Sequence, residues 1–122
     1  MTTKEIAERL VTLNRAGNYR QAYEELYTDD TLSIENWNER MEVRGMAAIT
    51  QKGEQWEAGL AEMHEMRASD PLVADNSFAV TYYIDATFKD TPDMPGGRQQ
   101  MTELAVYRLN EEGKIFHEEF FG

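Results

Sequence analysis

Two carboxylate-bearing strands close the chain. Glu103 precedes Leu104-Ala105-Val106-Tyr107, and Glu118-Glu119 precede Phe120-Phe121. A carboxylate in a buried strand is costly unless it is paired, hydrogen-bonded or kept protonated. Such a glutamate therefore either faces water or belongs to a polar site among apolar side chains. A carboxyl held among like charges and apolar walls has a raised pKa, which makes it a usable general acid or base. Because side chains alternate along a strand, Glu103, Ala105 and Tyr107 share one face, and Phe116, Glu118 and Phe120 share another.

Other residues carry two readings each. Lys52 falls on a helix one turn before Trp56. In a pocket it would neutralise a glutamate or bind a substrate carbonyl or carboxylate; on the surface its stem would lie along the fold. His64, among methionines on a strand, either shuttles protons near neutral pH or fills a structural place. His117 alternates against Phe116 and Glu118, so it turns outward if they face inward. Trp56, Tyr82, Tyr107, Phe116 and Phe120 suit the wall of a site for a small apolar or aromatic ligand. Ordinary core packing accounts for the same residues. No close-spaced metal-ligand motif accompanies His64 and the glutamates, so neither metal nor cofactor is expected. There is no nucleophile elbow and no dinucleotide fingerprint, and Gly96-Gly97 lacks the strand-to-helix setting that phosphate binding requires.

The elements that must position these residues are legible in the spacing. Thr2 with Glu5 fits a capping box, and Ile6, Leu10 and Leu13 follow at helical spacing. Gly17 ends that helix, and Asn18 is expected to cap a second one with Tyr19, Ala22, Tyr23 and Leu26 on its apolar face. Asp29-Asp30 stops the second helix, and residues 31–35 alternate as a strand. The polar run from Asn36 to Arg44 reads as a loop. Gly45 opens a third helix, with Ile49, Gly53, Trp56 and Leu60 on one face. Gly53 there reads either as a point of close approach or as a tolerated imperfection. Strands follow: a weak one over 62–69, a long one over 77–89 and the closing pair across the Asn110-Glu111-Glu112-Gly113 turn. The stretch from Asp90 to Arg98, with two prolines and two glycines, reads as a flexible loop.

Helices early and strands late imply an α+β fold with a predominantly antiparallel sheet. A long twisted sheet with one apolar face needs cover, and only the three helices of the N-terminal half can give it. The expectation is a single domain over residues 1–122, a cone-shaped curved sheet wrapped on those helices around a pocket. At 122 residues and 41% apolar content the chain is long enough to bury a core. A net charge of -11 repels phosphate backbones and anionic membranes, which argues against nucleic-acid binding. With no cysteine, disulfides and thiolate chemistry are excluded. The N-terminus has no apolar run and no segment could span a bilayer, so a soluble cytoplasmic protein is expected.

This order of elements resembles the nuclear-transport-factor-two-like superfamily, which includes SnoaL-like polyketide cyclases and ketosteroid isomerases. The residues that carry the resemblance are Leu26-Tyr27-Thr28-Asp29-Asp30, Val43-Arg44-Gly45-Met46-Ala47-Ala48-Ile49 and Asn110-Glu111-Glu112-Gly113-Lys114-Ile115. The resemblance implies a cystatin-like α+β barrel, and places Glu35 where isomerases carry their carboxylate base. It also implies that Glu103 and Glu118 point into the cavity and approach Glu35, with Lys52, Trp56, His64, Tyr82 and Tyr107 as ligand-binding candidates. Leu10 and Ala105 occupy the places where isomerases need a tyrosine and a protonated aspartate, so the steroid-isomerase pattern is incomplete. What remains is cofactor-free isomerisation, cyclisation or dehydration on a small carbonyl or polycyclic compound, or ligand binding without chemistry. Homodimers formed through the outer sheet face, including Thr81, Tyr83 and Thr87, are a further implication.

Overall fold

The computed structural model describes residues 1–122. Helix α1 spans Thr3–Arg15, and its N-terminus is closed by the expected capping box. The Thr2 hydroxyl accepts from the Glu5 N–H at 3.1 Å, and the Thr2 N–H donates to Glu5 Oε1 at 2.9 Å. The break after α1 falls at Gly17, whose φ of +76° is a left-handed conformation that glycine adopts freely. Helix α2 (Tyr19–Leu26) follows, but the Asn18 side chain does not cap it. The Asn18 backbone N–H instead donates to the Leu13 carbonyl at 2.8 Å and closes the turn from the other side.

Strand β1 (Tyr27–Asn36) begins directly after α2, so the Asp29-Asp30 pair lies within the strand. The run expected to be a loop contains strand β2 (Arg40–Arg44), antiparallel to β1 with Ser33 opposite Val43. Helix α3 (Met46–Ala58) leads through Gly59 into β3 (Leu60–Ala68). The short β4 (Leu72–Val73) precedes the long strands β5 (Ser77–Phe88) and β6 (Gly97–Leu109), and β7 (Ile115–Phe121) closes the chain. No helix is long and apolar enough to cross a membrane.

The strands form one curved sheet in the order β2-β1-β7-β6-β5-β3, with β4 added beside β5. It is mixed, because β1 and β7 run parallel while the other neighbours are antiparallel. The sheet does not close into a barrel. The expected α+β architecture of three helices and a curved sheet is present.

Burial identifies the concave face. Ile6, Ala7, Leu10, Val11 and Leu13 of α1 meet Phe78, Val80 and Tyr82 of β5 and Ala105, Tyr107 and Leu109 of β6. Phe78 and Tyr107 stack with ring centres 4.9 Å apart. Gly53 of α3 faces α2: a Cβ built there would sit 3.4 Å from the Tyr19 ring and 3.8 Å from the Tyr23 hydroxyl. That is ordinary contact, so close approach does not dictate the glycine.

A register shift between Arg108 and Leu109 on β6 brings Ile115 and Glu118 to the concave side and turns Phe116 away from it. Phe116 instead lies under the Arg108 guanidinium, 5.3 Å from its ring centre, on the convex face. The strict alternation that grouped Phe116 with Glu118 and Phe120 is thus broken by one extra residue.

Leu10 is fully buried where α1 crosses the sheet. Leu10→Ala is expected to lower stability by about 3 kcal/mol. Urea denaturation should show this as a lower midpoint at unchanged slope.

Candidate active site

Sheet register brings the acids together. Ser33 of β1 lies opposite Glu118 of β7, and Glu35 lies opposite Phe120. Tyr107 of β6 lies opposite Glu118, Ala105 opposite Phe120, and Tyr82 of β5 opposite Glu103. Directly opposed residues share a face, so Ser33, Glu35, Glu103, Tyr82, Tyr107, Glu118 and Phe120 all belong to the concave side. Gly122, next after the Leu104–Phe121 pair, lies against the Trp37 ring, which fills the space a Cβ would take.

Lys52 of α3 reaches into this group. Its ammonium donates to Ser33 Oγ at 2.8 Å and stands 3.4 Å from Glu35 Oε1. It also lies 5.5 Å from the centre of the Phe120 ring. Ser33 Oγ in turn donates to Glu118 Oε2 at 3.0 Å. The result is a continuous chain from Glu35 through Lys52 and Ser33 to Glu118. Ser33 and Glu118 are buried, while the Lys52 and Glu35 side chains keep 28% and 30% of their exposure.

Burial dominates the electrostatics. Glu118 is 3% exposed, and burial raises its pKa against the opposing effects of the Tyr27 hydroxyl, Lys52 and Ser33. Its Oε1 atom has no hydrogen-bond partner. Burial also pushes Glu103 up to about 7, assisted by the negative charges of Glu35 and Glu118 and opposed by Lys52. One lysine thus faces three carboxyls, and its charge does not offset the desolvation of the two deeper ones.

The tyrosines form the floor. The hydroxyls of Tyr82 and Tyr107 lie 2.8 Å apart, and Asn14 Nδ2 donates to Tyr82 at 2.9 Å. Burial pushes Tyr82 up to about 12 and Tyr107 well above the usual phenol range. Both are therefore neutral hydrogen-bonding groups at physiological pH.

The remaining candidates lie elsewhere. Trp56 is 40% exposed and packs edge-on against Phe88, with ring centres 6.1 Å apart. His64 is absent from the cluster. The pairing of β3 with β5 shifts between Met63 and Glu65, and the extra residue turns His64 toward the convex face. There its Nε2 lies 2.7 Å from Thr87 Oγ1. A position on that face removes it from Glu103 and Glu118, so it cannot polarise a ligand there. Near it Asp85 receives two hydrogen bonds from Arg98, at 2.9 and 2.7 Å, which hold its carboxyl down to about 2.

Ser33 and Tyr27 belong to the site although their residue types gave no signal. Alternation from Glu35 would have found Ser33, since the two share a face of the strand. No group of three or more His, Asp or Glu side chains has the geometry to hold a metal ion. Two surface depressions of about 310 and 460 Å³ lie away from the acids, one beside Asn76, Asn110 and Phe116, the other beside Lys4, Arg15 and Asp70.

Comparison with known proteins supplies a family. The sequence profile of the SnoaL-like domain matches residues 1–122. A candidate SnoaL-like polyketide cyclase from Mesorhizobium loti is 32% identical over the whole of both chains, with a TM-score of 0.88. A candidate SnoaL-like polyketide cyclase from Jannaschia sp. CCS1 shares the fold at 16% identity, with a TM-score of 0.78 over 98% of this chain and 85% of its own. A Xanthomonas campestris protein of unknown function with a cystatin-like fold does so at 19% identity, with a TM-score of 0.74 over 99% and 90%. Among proteins of curated function none matches in sequence.

Glu103 ties the cluster to stability. Below about pH 4.5 the carboxyl is protonated in both folded and unfolded chains, and its burial costs little. As pH rises through Glu103's value of about 7, the unfolded chain ionises first and the folded state loses stability relative to it. Glu103→Gln should therefore match the wild type near about pH 4 and exceed it near about pH 8 by about 1–3 kcal/mol. Chemical denaturation across that range checks this, and parallel curves would contradict it.

Proposed function

The chain belongs to the SnoaL-like domain family, and from that premise we propose that its concave cluster is a site for cofactor-free proton transfer on a small carbonyl compound. The substrate class is a compact apolar or aromatic molecule, and the reaction class is isomerisation, aldol-type cyclisation or dehydration. The observation that carries this reading is the convergence of Glu35, Glu103 and Glu118 on one lysine and one serine.

The roles follow from position. Glu103 has no side-chain hydrogen bond, and its proton equilibrium sits near neutrality, where acid and base forms coexist. It removes a proton from the carbon beside the carbonyl, and the C–H electron pair moves into the enolate. In an isomerisation the same carboxyl returns the proton to another carbon, so the step balances without a co-reactant. Lys52 is the nearest fixed positive charge, and its ammonium stabilises the developing oxyanion. Glu35 holds Lys52 in place and is the alternative base. Phe120, Tyr107 and Trp56 supply apolar wall.

With a substrate identified by screening small cyclic ketones and hydroxyketones, Glu103→Gln is expected to lower kcat by about 10²- to 10⁴-fold. The double substitution of Glu35 and Glu103 by Gln should abolish turnover. Unchanged turnover in the double variant would sink the mechanism. Binding without chemistry is the second reading, favoured by the pairing that already satisfies Lys52 with Glu35. NMR titration separates the two, since carboxyls all titrating near ~4.3 fit passive binding.

The same family membership supports a homodimer through the convex sheet face. Leu104 and Phe121 are partners across β6 and β7, and each is 39% exposed. Sedimentation at micromolar protein should show a dimer, and Leu104→Glu should convert it to monomer.

A further inference from the structure

We propose that Ser33 is a positioning residue: its hydroxyl holds the Lys52 ammonium beside the acids and keeps it from swinging outward with Glu35. This rests on the reading of Lys52 as the group that stabilises the oxyanion, and adds the residue that aims it.

The hydroxyl has one orientation. Ser33 is 1% exposed, so bulk water does not compete for it. A serine oxygen carries one proton and two lone pairs. The proton goes to Glu118 Oε2 at 3.0 Å, so the lone pairs face the Lys52 ammonium, which donates at 2.8 Å. The backbone fixes this oxygen in turn. Ser33 lies in β1 between Glu118 of β7 and Val43 of β2, paired on both sides.

Nothing else holds Lys52 as firmly. Its ammonium has three N–H donors on a flexible four-carbon stem. Glu35 Oε1 stands at 3.4 Å, longer than a charge-assisted hydrogen bond, and the Glu35 side chain keeps 30% of its exposure. The Phe120 ring, 5.5 Å away, attracts the ammonium without fixing its direction. Without Ser33 the ammonium and Glu35 are free to move outward together. Glu118 thus acts through Ser33: the acid orients the hydroxyl, and the hydroxyl orients the lysine. That gives the buried Glu118 a part that needs no contact with substrate.

Glu103 reports where the lysine stands. It faces Glu35 of β1, Glu118 of β7, Tyr82 of β5 and Lys52 of α3, of which only Lys52 is positive. The hydrogen bonds of the Ser33 side chain go to Glu118 and Lys52, so its removal reaches Glu103 only through one of them. The two routes have opposite signs. A Ser33 that merely satisfied Glu118 would, when removed, favour protonated Glu118, and with less negative charge beside it Glu103 would stay or fall. Loss of Lys52 from its place raises Glu103 instead.

Carboxyl NMR titrations of the wild type, Ser33→Ala, Lys52→Met and the double variant form a cycle. Ser33→Ala is expected to move the Glu103 midpoint upward from about 7, and Lys52→Met at least as far. The double variant should move it no further than Lys52→Met alone. An unchanged or lowered midpoint in Ser33→Ala overturns the proposal, as does a Ser33→Ala shift that persists in full without Lys52. Ser33→Cys keeps the volume and weakens both hydrogen bonds, and it takes the place of Ser33→Ala, with the same outcomes, if that variant does not fold. The two Lys52 Hε protons give a second reading. Held beside the Phe120 ring they should be resolved in the wild type and merge in Ser33→Ala; merged signals in the wild type overturn the proposal. On a ketone that the wild type turns over, Ser33→Ala should lower kcat by about 10²-fold with KM unchanged, whereas an unchanged kcat overturns it. A Glu103 that titrates near ~4.3 in the wild type would instead sink the proton-transfer reading, and the Hε signals would still decide whether Ser33 holds Lys52.

Discussion

The pairing of β1 with β7 sets Ser33 against Glu118, and the site is organised around that contact. A carboxyl that is 3% exposed cannot be held there on packing alone, because desolvation of an unpartnered acid costs several kcal/mol. One oxygen is satisfied by Ser33, which is itself satisfied by Lys52, which is held by Glu35. Each link places the next. The parallel register fixes Ser33 and Glu35 two residues apart on one face, and α3 must then cross at the height where Lys52 reaches both. The order of elements serves this chain of contacts, since α3 sits between β2 and β3 and packs across β1 and β2.

Competition between burial and charge decides how the cluster is protonated. Lys52 lowers the pKa of both Glu103 and Glu118, but each is still raised, so desolvation wins at both. The Asp85 carboxyl on the convex face shows the opposite balance. It too is nearly buried, yet two hydrogen bonds from Arg98 hold it down to about 2. What differs is the partner. A bidentate guanidinium favours the ionised form far more than a serine hydroxyl can. The same residue class thus forms a fixed ion pair on one face of the sheet and a proton-exchanging group on the other.

The sequence made the fold legible wherever a local rule had a single physical outcome. The Thr2–Glu5 capping box and the Gly17 break lie where spacing puts them, because both depend on neighbours within a turn. Strand β2 was hidden, since an edge strand with most side chains in water has no apolar alternation to display. Register shifts hid two more placements. Phe116 and His64 both lie beside one-residue irregularities that long-range pairing creates, and no local pattern announces them. The placement of Glu35, Glu103 and Glu118 on one face came from the family resemblance. Ser33 was overlooked because serine between Leu32 and Ile34 reads as an ordinary strand residue, and its importance arises only from what pairs beside it.

Depth separates the roles of the three acids. Glu35 is the more exposed and is already paired with Lys52. Glu118 is buried and accepts a hydrogen bond from Ser33. Glu103 is partly buried, with its proton equilibrium near neutrality. Catalysis of proton transfer needs a group that is both reachable and balanced between its two forms. Burial alone would give balance without access, and exposure alone would give access without balance. On the proposed reading Glu103 is the group that combines the two, and the neighbouring Glu118 contributes by raising it.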